Sequence, residues 1–253
     1  YILTEKYQLS ALDLYAGKDM NFSSEKLSEV NDILARLKSY EPLQYIIGET
    51  WFCGYRFKVT PAVLIPRPET AELIDWIVKD NKRRGAHVLD IGTGSGCIPV
   101  SLALMMDSPV VSAWDISEEA LSVASENARI NNTDVAFSRV DVLGTDIPDI
   151  KVDILVSNPP YITESEKKDM EKNVLDWEPD LALFVPDDDP LRFYRRIAEL
   201  GLDILNDGGL IYFEINRAYG SETVDMLASM GYKDIELRKD LSGNDRMTKA
   251  LRP

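Results

Sequence analysis

From residue 86 onward the chain alternates short apolar, β-branched runs with amphipathic stretches, and this alternation constrains its fold more than any other feature. Runs at 88–91, 110–114, 135–140, 154–157 and 210–215 read as strands, with two more near Ile235 and Thr248. Helical spacing fills the intervals, from about Cys97, over 117–130 and 191–205, and near 222–230. Strands that alternate with helices in this way pack as an open, mostly parallel sheet with helices on both faces. No internal repeat is present.

The first 85 residues have a different texture. Leu27, Val30, Ile33, Leu34 and Leu37 recur at helical spacing, and Ser23 or Ser24 can cap that helix by accepting a free first-turn amide. Aromatic and β-branched residues flank Gly54 between Trp51 and Val59, as in a β-hairpin. In Ile65-Pro66-Arg67-Pro68-Glu69-Thr70 the prolines are expected to hold the chain extended ahead of an amphipathic run over 71–78. The expected division is therefore a helical subdomain over 1–42, a hairpin and proline-rich linker over 43–70, and an α/β domain over 71–253.

Composition narrows the function classes. With 253 residues, 45% hydrophobic and 28% charged, the chain matches folded globular proteins rather than disordered or collagen-like ones. No apolar run approaches the ~20 residues of a membrane span, and no leader pattern is seen, although a sequence that opens on Tyr1 could have lost one. Cysteine usage, Cys53 and Cys97 alone, supports neither a disulfide framework nor a cysteine zinc site and favours the cytoplasm. The only histidine, His87, removes triads and multi-histidine metal sites and reads as structural; no metal is expected. The net charge of −15 weighs against nucleic acid as the main ligand, because phosphate binding draws on basic patches. The run Asp187-Asp188-Asp189 reads as a solvated loop and helix start, with cation binding as its alternative.

Two motifs carry chemistry. Asp90-Ile91-Gly92-Thr93-Gly94-Ser95-Gly96 lies between a strand and a helix, where glycines allow a tight turn and close backbone approach to a ligand, while the helix start offers free amides. Asp115 closes the next strand, where a carboxylate can accept from both hydroxyls of a ribose. A glycine loop for a nucleoside without a pyrophosphate site suits S-adenosylmethionine better than a dinucleotide. A purely structural turn is the alternative. The second motif, Asn158-Pro159-Pro160-Tyr161, ends a strand at the sheet edge where open α/β folds bind ligands. Its prolines remove amide donors and stiffen the chain, so the Asn158 side-chain oxygen and the Pro159 carbonyl can accept both hydrogens of a planar NH2 group. Tyr161 offers a flat face for stacking.

Together these residues resemble class I S-adenosylmethionine-dependent methyltransferases that modify planar NH2 nitrogens. Pro42-Leu43-Gln44-Tyr45-Ile46-Ile47-Gly48, residues 65–70, Glu178-Pro179, Ala182-Leu183 and Gly243-Asn244-Asp245-Arg246 further resemble the peptide chain release factor glutamine methyltransferases (PrmC/HemK), from about Pro42 to Pro253. The resemblance implies an α/β, seven-stranded, mostly parallel Rossmann-like methyltransferase sheet with the last strand antiparallel, plus the small helical subdomain and hairpin. It implies N5-methylation of the glutamine in the Gly-Gly-Gln motif of class 1 release factors, with S-adenosylmethionine as cofactor. Asp90, Gly92 to Gly96 and Asp115 would hold the cofactor, Leu143 would pack on its adenine, and Asn158 would touch both cofactor and substrate. Asn158 to Tyr161 would clamp the glutamine amide, with Arg67 and Glu69 near the mouth of the site or serving as linker residues.

Departures from the family's pattern are local. The helical segment of about 40 residues is roughly half the usual length, which points to a truncated or naturally short docking domain. Asn216 stands where glycine is common, Tyr219 where glutamine is usual, and Ala71 in place of an acid. Alternatives to the main reading are a DNA or RNA adenine N6-methyltransferase, a ribosomal-protein glutamine methyltransferase, and a cofactor sensor without transferase activity. Strong acidity and the intact Asn158 to Tyr161 clamp weigh against the first and last of these.

Overall fold

The computed structural model describes residues 2–7, 9–16 and 23–253. The expected helical character of residues 1, 8 and 17–22 lies outside the described residues. A single π-helical turn at Ile2–Lys6 and α1 (Ala11–Tyr15) precede α2 (Ser24–Lys38). Ser23 is the cap of α2, its hydroxyl accepting from the Lys26 N–H. The short α3 (Leu43–Ile47) ends at Gly48, whose left-handed backbone turns the chain into the hairpin β1 (Glu49–Phe52) and β2 (Tyr55–Lys58). A helix thus opens the segment expected to be hairpin and linker.

A second difference concerns the prolines. α4 (Pro68–Asp80) begins at Pro68 itself rather than after Thr70. Proline at the first helical position forfeits only an amide that would have no intrahelical partner, and its fixed φ suits the helix, so only Pro66 remains in the extended segment. Thr70 is thereby carried on the first turn of α4.

The α/β region follows as β3 (His87–Ile91), α5 (Cys97–Met105), β4 (Val110–Asp115), α6 (Glu118–Ile130), β5 (Val135–Arg139) and β6 (Val152–Ser157). An insertion then holds β7 (Ile162–Thr163), α7 (Lys172–Leu175) and β8 (Phe184–Val185), none of which the sequence pattern announces. The chain closes with α8 (Arg192–Ile204), β9 (Leu205–Glu214), α9 (Gly220–Ser229), β10 (Lys233–Lys239) and β11 (Asp245–Leu251). The seven-stranded sheet has the order β10-β11-β9-β6-β3-β4-β5, parallel except for β11, which runs antiparallel to both its neighbours. This is the expected Rossmann-like α/β sheet with its last strand reversed.

Core packing positions the site. Leu73, Ile74 and Ile77 of α4 are fully buried, and Trp76 meets Tyr212 of β9 edge to face at 5.6 Å. That contact clamps α4 to the sheet, and truncating a side chain such as Leu73 to alanine would cost about 2–5 kcal/mol. On the other face Tyr194 and Phe213 stack edge to face at 5.3 Å. The central strands β3 and β6 are buried on both faces and carry the glycine loop and the Asn-Pro-Pro-Tyr segment at their C-terminal ends. The Ser157 hydroxyl donates to the Ile91 carbonyl at 2.6 Å, pinning the two strand ends together. Among the described residues, no helix is long and apolar enough to cross a membrane.

Candidate active site

The glycine loop leaves β3 with Gly92, Gly94 and Gly96 all at positive φ. A Cβ at Gly92 or Gly94 would meet nothing within 4 Å, so both face open space, whereas one at Gly96 would lie 2.9 Å from the Ala124 Cβ of α6. Two glycines therefore serve the cleft and the third serves helix packing. The Asp115 carboxylate accepts from the Gly94 N–H at 2.8 Å and the Ser117 N–H at 2.9 Å, joining the loop to the end of β4. Burial raises its pKa, and the backbone donors, Ser117 first, counter the rise. Asn127 of α6 donates to the Ser95 carbonyl at 2.8 Å and brackets the Lys58 backbone, so the same side chain fastens the hairpin to the loop.

Asp90 lies beneath the loop, fully buried, with neither carboxylate oxygen hydrogen-bonded. Burial pushes its carboxyl up to about 7; nearby Thr93 lowers it somewhat, and the charge of Asp115 raises it further. A buried acid without donors is costly. Asp90 itself lines neither space at the site, whereas its neighbours Ile91 to Ser95 line the cleft.

A cleft of about 500 Å³ opens over these residues. Gly92, Thr93, Gly94, Ser95, Asp115, Leu143, Asn158, Pro159, Pro160 and Arg67 line it, and Ile116, Leu181, Phe193 and Ile197 supply apolar wall. A smaller chamber of about 190 Å³ adjoins it, walled by Tyr161, Ile162, Met170 and Val174 and sharing Leu64, Arg67, Asn158 and Ala182 with the cleft. Asn158 and Arg67 thus stand on the partition between the two spaces. The structure leaves Glu69 off both linings, half-buried on the first turn of α4, where its charge acts on Glu214 instead.

Thr70 and Glu178 stand in stretches that carry the family resemblance but had no partner assigned there, and Glu214 had no role assigned. Thr70 donates to Glu214 Oε2 at 2.6 Å and accepts from the Asn158 side-chain amide at 3.3 Å. Glu214, at the end of β9, also accepts from the Tyr161 hydroxyl at 3.3 Å. Glu178 pairs with Arg67 at 2.7 Å and accepts from the Ile65 N–H at 3.4 Å. The nearest available hint was the position of Glu214 at a strand end on the same sheet edge as Asp90 and Asp115. Asn216 donates to the Tyr161 carbonyl at 3.0 Å and to Glu166, bracing the far end of the Asn158 to Tyr161 segment. Asp245 ion-pairs with Lys239 at 2.7 Å in the β10–β11 hairpin, and Asp189 with Arg195 at 3.0 Å at the start of α8. Among the described residues, no group of three or more His, Cys, Asp or Glu could hold a metal ion.

Comparison with known proteins shows what the whole chain is similar to. The Methyltransferase small domain family model matches residues 70–176, and the PrmC N-terminal domain model matches residues 1–48. A protein of Bacteroides thetaiotaomicron named release factor glutamine methyltransferase is 55% identical over 245 residues, spanning 96% of this chain and 88% of the relative. Its namesake in Flavobacterium psychrophilum is 46% identical over 254 residues, spanning 98% and 89%. Among solved structures, a 16S rRNA methyltransferase of T. thermophilus in complex with AdoMet and guanosine shares the fold at 17% identity, with a TM-score of 0.59 over 81% of this chain and 50% of that one.

Proposed function

Because the chain belongs to the family of release factor glutamine methyltransferases, we propose that it transfers a methyl group from S-adenosylmethionine to the side-chain nitrogen N5 of the Gly-Gly-Gln glutamine in class 1 release factors. The observation that carries this reading is the partition at Asn158. A nucleoside-sized cleft lined by the glycine loop meets a smaller chamber at Asn158, whose segment offers acceptors for both hydrogens of an NH2 group.

The residues present fit S-adenosylmethionine. Asp115 stands at the strand end suited to a ribose and the apolar wall with Leu143 suits an adenine, while the unpartnered Asp90 carboxylate lies buried beneath the glycine loop without lining the cleft. When bound, the cofactor supplies an electrophilic methyl group on a sulfonium. The protein's task is to aim a poor nucleophile, since an amide nitrogen delocalises its lone pair into the carbonyl. Asn158 Oδ1 and the Pro159 carbonyl accept the two N–H groups, raise electron density on nitrogen and hold it toward the cleft. Orientation of this kind can supply on the order of several kcal/mol. Tyr161, whose hydroxyl is tied to Glu214, and Arg67, held by Glu178, close the chamber around the substrate amide. A translation factor as substrate is in keeping with a cytoplasmic enzyme.

The test is methyl transfer from labelled S-adenosylmethionine to an unmodified class 1 release factor, beside duplex DNA, RNA and a release factor whose Gly-Gly-Gln glutamine is replaced. Label on the intact factor alone is expected. Label on nucleic acid would overturn the substrate and retain the cofactor site.

A further inference from the structure

An asparagine side chain has two ends of nearly equal shape and opposite hydrogen-bonding sense, so an Asn158 that must accept from a substrate NH2 has to be kept from presenting its own NH2 instead. We propose that Thr70 and Glu214 are positioning residues that fix the polarity of the Asn158 amide, so that Oδ1 faces the reacting nitrogen. This rests on the amide-clamp reading above and names what enforces it.

The order of donors carries the inference. Asn158 Nδ2 donates to Thr70 Oγ1 at 3.3 Å, and Thr70 Oγ1 donates to Glu214 Oε2 at 2.6 Å, a length typical of a hydroxyl bonded to an ionised carboxylate. A hydroxyl carries one proton. With that proton on Glu214, Thr70 can only accept from Asn158, and only Nδ2 can face it. Oδ1 is thereby turned to the other side, toward the partition between cleft and chamber. Thr70 and Glu214 are buried at 2% and 1% exposure, so bulk water does not compete for these contacts.

The relay works in this sense only while Glu214 is ionised. Burial and the charge of Glu69 oppose ionisation; Thr70, the guanidinium of Arg246 on β11 and the Tyr161 hydroxyl support it. Protonated, Glu214 could donate to Thr70, freeing the Thr70 proton for Asn158 Oδ1 and turning Nδ2 toward the substrate. Two N–H donors would then face each other and the amide could not be held. The three groups lie on α4, β9 and the loop after β6, with Thr70 and Glu214 separated by 144 residues, and the parallel order β9-β6-β3 with α4 packed over it brings them together.

Thr70→Val keeps the shape and removes the acceptor, whereas Thr70→Ser keeps the hydroxyl. At saturating substrates Thr70→Val is expected to lower kcat by at least about tenfold with the cofactor Kd within about twofold, and Thr70→Ser to retain most of kcat. Wild-type kcat in Thr70→Val, or an equal loss in Thr70→Ser, would overturn the proposal. Independently of any variant's folding, the Asn158 side-chain amide protons of the wild-type protein should show a nuclear Overhauser contact to the Thr70 side chain. Its absence would overturn the assigned polarity. Asn158→Ala separates the two readings: full activity there sinks the clamp itself, while an inactive Asn158→Ala beside a fully active Thr70→Val sinks only the relay.

Discussion

The Arg67 guanidinium meets the Glu178 carboxylate at 2.7 Å, across 111 residues of sequence, with Glu178 buried and Arg67 one-third exposed. The contact ties the segment before α4 to the loop after α7 and fixes Arg67 on the partition between cleft and chamber. Trp177, next to Glu178, donates to the Ser39 carbonyl at 3.1 Å, so the same loop also touches the N-terminal helices.

Replacing Glu178 by alanine leaves the Ile65 amide and the Arg67 charge without their acceptor. The expected loss of unfolding free energy is about 1–3 kcal/mol, below the full cost of a broken buried pair because Arg67 still reaches water. Urea unfolding with an unchanged m value measures it, and the KM for the protein substrate should rise more than that for the cofactor.

In the proposed clamp, Asn158→Ala removes one of the two acceptors for the substrate NH2. Turnover should fall by about a hundredfold or more while cofactor binding stays measurable by calorimetry. A wild-type rate in this variant would sink the clamp.

Asp90 provides a pH signature. Its native carboxyl titrates at about 7 against an ordinary value of 3.8, so between those values the folded protein holds a proton that the unfolded chain has released. Stability of the ligand-free protein should therefore fall as pH rises through that window and level off above it. Asp90→Asn should lack this component, making the variant more stable at pH 8 by up to about 4 kcal/mol, at about 1.4 kcal/mol for each unit of pKa change. Denaturant titrations of both proteins from acid to pH 8 measure the difference, and parallel curves would show that Asp90 is solvated.

Gly94 and Gly96 should respond differently to alanine. At Gly94 the new methyl meets open space and only the left-handed backbone resists it, at about 1–2 kcal/mol, so the protein folds and the loss appears in cofactor affinity. At Gly96 the methyl would also sit 2.9 Å from Ala124 Cβ and 3.1 Å from Ala124 Cα, which forces α6 outward. Gly96→Ala should therefore unfold at a clearly lower temperature than Gly94→Ala.

Period and punctuation in the chain were enough for the α/β alternation, the glycine turn after β3, a serine cap at 23 or 24 and the place of Asn158 at a strand end, because each depends on residues a few positions apart. The same local reasoning misjudged Pro68, where it applied the rule for helix interiors to a helix start. It could not find α7, β7 or β8, which are too short to show a period. Nor could it pair Thr70 with Glu214, Arg67 with Glu178, or Asn127 with Ser95 and Lys58. Those partners lie 32 to 144 residues apart, and the order of the strands decides which of them meet. Local sequence determined which groups could do the chemistry; the sheet order and the packing of α4 decided which way the Asn158 amide points, because a hydrogen bond's sense depends on the partner that arrives from elsewhere in the fold.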